Sequence, residues 1–165
     1  DASLLLRLEL AGVSVGDRWP ALFEKVKNRV DDHIFCFIDA HMMMAVAAQD
    51  SAAADGMLAS LREQVMRGHN TTAAVTREIG YAACQAIAAH RAGDFSSVVK
   101  LLASNRYRIR AIGGSNTQRD IFFRLLVDAA VKNQQFALAQ ALLSEYSARR
   151  PHNGWAARIR HRAET

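Results

Sequence analysis

Proline and cysteine are scarce in this 165-residue chain, which has two of each. So few prolines leave long stretches free to run as uninterrupted helix. Cys36 and Cys84 sit in apolar runs and form no CxxC pair. That excludes a disulfide scaffold or a zinc ribbon and fits small buried hydrophobes in a reducing compartment, the cytoplasm. Long apolar runs are also lacking. The stretch Ile79 to Ala89 is too short and too often interrupted to cross a bilayer, so no membrane partner is expected. No signal peptide opens the chain. It begins on Asp1 rather than Met, and we expect it to be part of a longer protein. No segment alternates apolar and polar residues long enough to require a sheet. Nucleophile elbow, P-loop, dinucleotide fingerprint and HExxH are all missing, so no cofactor or metal is expected.

What is abundant is alanine, leucine, arginine and glutamine, all good helix formers. A chain of this length can bury about 70% of its unfolded surface, enough for a core without staples. Its charge is uneven: residues 1–60 carry −4 and residues 61–165 carry +9, for a net +5. The basic half suits an acidic partner or a phosphate. Its arginines are scattered and lack an aromatic-rich motif, which argues against nucleic acid.

The spacing predicts helix after helix. The first covers Asp1–Leu10. The second starts at Gly16-Asp17 and runs to about Val30. Asp31-Asp32 caps a third that continues to about Gln49. The fourth runs from Ser51 to near Gly68, and the fifth from Asn70 to Arg91. Gly93-Asp94 turns into the sixth, ending near Asn105. Ser115 to Lys132 is the seventh and Gln135 to Arg149 the eighth. Pro151, at a first helical position, starts a short basic last helix. The chain thus reads as one all-α domain over 1–165. Its hairpins lie at roughly 1–31, 33–68, 70–105 and 115–149, with a final helix over 151–163.

A weak internal repeat accompanies them. Gly93-Asp94-Phe95 is followed by Val98 and Leu102, and Gln134-Gln135-Phe136 by Ala139 and Leu143, with a fainter copy at Asp50-Ser51. An aromatic at the corner and a small residue three positions on suit the meeting of two antiparallel helices. Gly93, Phe95, Phe136, Ala139, Tyr146 and Pro151 resemble tetratricopeptide repeats. The spacing is longer than the usual 34 residues, and the early Trp and Gly are missing. The resemblance implies antiparallel hairpins stacked into a right-handed solenoid with a concave face. The runs Leu5–Val13, Gly16–Trp19, Phe37–Met44 and Ile112–Asp120 resemble the C-terminal half of the tetratricopeptide repeat protein 38 family. That match covers most of the chain, and the IGGS-x-x-QRD run is its most specific part. Family members often carry His where Asn116 stands here. The family brings no established activity with it.

The candidate site centres on 106–120. Arg106, Arg108 and Arg110 alternate, and Arg106 and Arg110 share a face if they belong to a fraying helix end. Gly113-Gly114 then allows a tight corner. Ser115 and Gln118 have capping-box spacing, and a helix N-terminus can receive an anion. Arg119 could hold a carboxylate bidentately. Asp120 could pair with Arg124 at i+4 as a surface contact. Plainer roles are corner-making for the glycines and solvation for the arginines.

His33, Phe37 and His41 have i, i+4, i+8 spacing, and Asp39 lies between. The commoner role for His41 is a packed core histidine; the functional one is a polar group facing the groove. Met42-Met43-Met44 reads as adaptable core filling.

The leading expectation is a helical-repeat module binding a protein or peptide near Ser115, Gln118, Arg119, Asp120, Arg106 and Arg110. In its sharp form, Arg119→Ala weakens capture without lowering stability. The alternative is an enzymatic or small-molecule site using Asp39, His41, Ser115, Gln118 and Arg119, completed by a missing N-terminal half. Self-association is left open.

Overall fold

The computed structural model describes residues 1–151 and 153–163. Among them are nine helices and no strand. Helices α1 (Ala2–Leu10) and α2 (Arg18–Val26) open the chain, and a 3-10 turn, Lys27–Arg29, follows α2. Next come α3 (Cys36–Val46) and α4 (Ser51–Arg67). Helix α5 runs without a break over 71–91, as α-helix Thr71–Val75, a π-helical turn Thr76–Gly80, and α-helix Tyr81–Arg91. Then follow α6 (Phe95–Ala103), a 3-10 turn Arg108–Ile112, α7 (Asn116–Lys132), α8 (Phe136–Arg149) and α9 (Gly154–Ala163). No helix among the described residues is long and apolar enough to cross a membrane.

Short polar residues start several of these helices by accepting from the orphan N–H groups of the first turn. Asp50 takes the Ala53 N–H at 2.9 Å, Asn70 the Ala73 N–H at 2.8 Å, and Asp94 the Ser97 N–H at 3.0 Å. The capping box read from the sequence is present: Ser115 accepts from the Gln118 N–H at 3.2 Å, and Gln118 Oε1 accepts from the Ser115 N–H at 2.7 Å.

Two helices form the centre. In α3, Ala40 and every residue from Met42 to Val46 are buried, so the three methionines are core. In α7, Ile121, Phe122, Leu125, Leu126, Ala129 and Ala130 bury two faces. Around these pack α1, with Leu5, Leu6 and Leu10 inward, the α5–α6 hairpin, and α8 with Ala139, Leu142, Leu143 and Tyr146. Helix α1 lies against both α3 and α7. The first helix therefore meets the seventh, whereas in a nearest-neighbour stack distant hairpins do not touch.

At the π turn α5 crosses α3 closely. A Cβ on Gly80 would stand 2.9 Å from Cys36 Sγ, so only glycine lets α3 and α5 approach this closely. Cys36 Sγ lies 3.0 Å from the Thr76 hydroxyl at the same crossing. Burial raises the pKa of both Cys36 and Cys84, keeping them as unreactive thiols.

Four expectations need correction. Asp31-Asp32 does not cap α3. Residues 31–35 form a turn and an extended approach, with His33 in the left-handed region (φ 44°) and Phe35 at the N-cap. His33 is therefore off the helix that carries Phe37 and His41. Pro151 lies in a turn, and the last helix starts at Gly154, where Asn153 Oδ1 takes the Trp155 and Ala156 N–H groups. Arg106 and Arg110 do not share a fraying helix end. Helix α6 stops at Ala103, and Arg110 belongs to the 3-10 turn. Finally, Phe136 is 44% exposed, so it does not fill a hairpin corner as Phe95 does. Phe95 is half-buried, edge-on to His90 at 5.5 Å, with the Lys132 ammonium 5.1 Å from its ring.

Candidate functional site

A cleft of about 780 Å³ opens between the α6–α7 connection and the C-terminal end of α8. Its walls carry Arg106, Arg108, Arg110, Arg119, Arg149 and Arg150, against the carboxylates Glu78, Asp120 and Glu145. Ile109, Phe123 and Tyr146 add apolar surface. The fold thus brings four sequence candidates together: Arg106, Arg110, Arg119 and Asp120.

These arginines are held to different degrees. Arg106 donates to the Ala103 carbonyl at 2.8 Å and lies 3.4 Å from Glu145 Oε2. Its guanidinium stacks on Tyr107, 4.2 Å from the ring centre, and Tyr107 O–H donates to Glu145 at 3.1 Å. Arg119 closes the glycine corner. Its Nη1 donates to the carbonyls of Gly113, at 3.0 Å, and Gly114, and its Nη2 to Asn116 Oδ1 at 2.6 Å. Gly113 and Gly114 both have positive φ, 93° and 75°, and a Cβ on Gly114 would stand 2.4 Å from the Phe37 ring. Arg119 is therefore a clamp on the corner, and removing it perturbs the loop as well as any ligand. Arg108 and Arg110 are exposed, and among the described residues neither pairs with a carboxylate within 4.0 Å.

Asp120 is a hub, not the surface partner expected. Its side chain is 5% exposed and receives Arg7 at 3.0 Å, Arg124 at 2.6 Å and Arg150 at 2.7 Å. Arg7 also donates to the Thr117 carbonyl at 2.7 Å, which fastens α1 to the first turn of α7. Burial pushes the Asp120 carboxyl up. The Arg124 hydrogen bond and charge, with bonds from Tyr146 and Arg7, outweigh it and hold the group below the ordinary carboxylate range. With Asp120 neutralised by three arginines and Glu145 by Arg106 and Arg149, the cleft keeps an excess of positive charge.

Ser115 and Gln118 are exposed and spend their side chains on each other's backbone. They flank the corner but do not line the cleft. His41 lies on the far side of the glycine corner: its ring is 4.2 Å from Phe37, and Nδ1 is 2.7 Å from the Phe37 carbonyl. Burial, aided by the Arg7 charge, lowers its pKa, so it is neutral at pH 7. Asp39 points elsewhere, to His33 Nδ1 at 3.2 Å. The structure therefore does not join Asp39 and His41 to Ser115, Gln118 and Arg119 in one enzymatic site. Sequence reasoning missed Tyr107, Arg149 and Arg150 as parts of the cleft. The local clue was the Arg149-Arg150 pair at the end of α8, close in sequence to a turn. Among the described residues no three His, Cys, Asp or Glu side chains gather as a metal site.

Fold and cleft together define an all-α protein with an arginine-lined pocket at the junction of two helices. No protein-family model and no solved structure matches the chain.

Proposed function

We propose that this domain is a helical-repeat module of the cytoplasm that binds a protein or peptide partner through an acidic segment laid in the arginine cleft. The observation that carries the reading is the six arginines facing three carboxylates, with neither Arg108 nor Arg110 within 4.0 Å of a carboxylate among the described residues. Arginine forks bind carboxylates bidentately, and a partly enclosed, positively charged cleft strengthens and steers that contact. Tyr107, 54% exposed at the rim, offers an aromatic face to the same ligand.

The finer architecture belongs to this proposal as well. The α3–α4, α5–α6 and α7–α8 pairs have the short junctions of tetratricopeptide-like hairpins, and the likeness of Ile112–Asp120 to the tetratricopeptide repeat protein 38 family agrees with them. On this reading the three hairpins form the right-handed stack, and α1 lies outside its nearest-neighbour order, folded back onto α7 through the Arg7–Asp120 contact.

The test is a fluorescence anisotropy titration of a labelled glutamate-rich peptide, at low and moderate salt, against wild type and Arg108→Glu/Arg110→Glu. These side chains are exposed, so reversal leaves the core intact. Saturable binding that weakens with salt, and at least tenfold in the double variant, supports the proposal. Equal binding by the variant removes it. A single-stranded oligonucleotide binding more tightly than the peptide would reassign the cleft to phosphate.

A further inference from the structure

Away from the cleft, three residues from three segments line up as nucleophile, base and orienting acid. Ser60 lies within α4, His33 in the connection after α2, and Asp39 in α3. Ser60 Oγ is 2.8 Å from His33 Nε2, and His33 Nδ1 is 3.2 Å from Asp39 Oδ1. The side chains of His33 and Asp39 are 8% and 2% exposed, while Ser60 is half-buried.

The direction of the hydrogen bonds follows from chemistry. A carboxylate only accepts, so Nδ1 carries the ring proton and donates to Asp39. In the neutral ring Nε2 then has its lone pair free, and it accepts the Ser60 O–H. That polarity is the one a general base needs, and it is recognised by geometry rather than by order in the chain.

Three observations set this group apart from an ordinary buried tether. First, a mid-helix hydroxyl commonly bonds back to the carbonyl one turn earlier. Thr76 does so at 2.9 Å, and Ser104, just past the end of α6, at 3.0 Å. Ser60 instead turns to the imidazole. Second, His33 holds φ 44°, a region non-glycine residues rarely occupy and one that collects at functional sites. Gln64 Nε2 fixes this backbone by donating to the His33 carbonyl at 3.2 Å. Third, among the described residues Asp39 Oδ2 is buried without a hydrogen-bond partner, so His33 is the side chain this carboxylate holds.

Gly56 lies one turn before Ser60 on the same face, and among the described residues a Cβ there would meet nothing within 4 Å, so that turn of α4 carries no side chain beside Ser60. Ile34 and Phe35, next to His33, are 51% and 60% exposed, an apolar rim beside a polar centre.

We propose that Ser60 is a nucleophile activated by His33 and Asp39, and that it accepts acyl groups from esters whose acyl part is apolar. The Ser60 oxygen attacks the ester carbonyl carbon, and its proton passes to His33 Nε2. The bond from carbon to the alcohol oxygen then breaks, and the departing alkoxide takes the proton from His33. Water, deprotonated by the same nitrogen, attacks the acyl-serine, and Ser60 recovers its proton as the acid leaves. The overall change consumes one ester and one water and needs no other reactant. Ile34 and Phe35 seat the acyl chain.

The experiment is labelling of the folded chain with an alkyl fluorophosphonate, which forms a P–O bond and releases fluoride, read by intact mass and peptide mapping. One adduct on Ser60 is expected, abolished in Ser60→Ala and slowed about a hundredfold or more in His33→Gln and Asp39→Asn that keep their helical circular dichroism. Phe35→Ser should slow a decyl probe more than an ethyl probe. No adduct on Ser60, or the same rate after unfolding in urea, overturns the proposal even if the histidine variant fails to fold. A folded His33→Gln that labels at the wild-type rate also overturns it. Equal slowing of both probes in Phe35→Ser overturns the apolar acyl seat.

Discussion

Replacing Asp120 with asparagine should be the most damaging single change of charge in this protein. Asparagine keeps the shape but removes the negative charge that three guanidinium groups share at 2.6–3.0 Å. Arg7, Arg124 and Arg150 have side chains 20%, 18% and 38% exposed, so none is fully immersed in water to compensate. Removing one partner of a buried pair costs about 3–5 kcal/mol. Partial solvent access of the arginines places the expectation at the low end, about 3 kcal/mol. For a domain of this size that is a fall in Tm of roughly 6–12 °C. The pH dependence gives a second handle. The folded carboxyl is held below its ordinary value, so its contribution is complete above the unfolded pKa of about 3.9 and is lost as pH falls through the folded value. The gap between wild type and Asp120→Asn should therefore be constant from pH 7 to pH 5 and narrow below about pH 4. Urea unfolding followed by circular dichroism at several pH values measures it. Adding Arg7→Gln to Asp120→Asn should cost little more than Asp120→Asn alone, with a coupling of about 1–2 kcal/mol. A Tm change under 2 °C, a gap unaffected by acid, or strict additivity would each refute the hub.

Other substitutions probe the packing. Phe95→Ala should cost about 2–3 kcal/mol, and Phe136→Ala less than about 1 kcal/mol because it is 44% exposed; paired thermal melts decide this. Gly114→Ala forces both a left-handed alanine and a clash with Phe37, so a loss of about 3 kcal/mol or no soluble protein is expected on expression and melting. Gly80→Ala should cost about 1–3 kcal/mol in a urea melt, from overpacking on Cys36 at the π turn. Arg119→Ala should lower the melting temperature by a few degrees, since it releases the Gly113 and Gly114 carbonyls; an unchanged Tm would return Arg119 to the role of a free ligand-binding side chain.

Local chemistry was legible where partners are close in sequence. Ser115 and Gln118 announced their capping box because both halves lie within one turn, and Asn70 and Gly93-Asp94 marked helix starts for the same reason. The buried methionines followed from helical geometry. What periodicity does not carry is a polar bond between distant segments. Arg7 and Asp120 are 113 positions apart, and His33 and Ser60 are 27 apart, with nothing in spacing to link them. The i, i+4, i+8 pattern of His33, Phe37 and His41 misled because it assumed one helix, whereas the backbone enters α3 only after an extended Phe35. Asp39 was grouped with His41, whereas its carboxylate lies 3.2 Å from His33 Nδ1. Phe136 shows the limit of repeat analogy: a matching residue at a corner need not find a neighbour to cover it.

The arginine cleft is the centre of the account, and its occupant can be located directly. A titration of an acidic peptide into isotope-labelled protein, followed by amide NMR, reads every part of the surface at once. Saturable shifts confined to residues 106–119 and the end of α8 around Arg149 are the expected result. Shifts centred instead on the alanine-floored groove between α4 and α6, near Ala54, Ala88 and Ala92, or none at millimolar peptide, would contradict it.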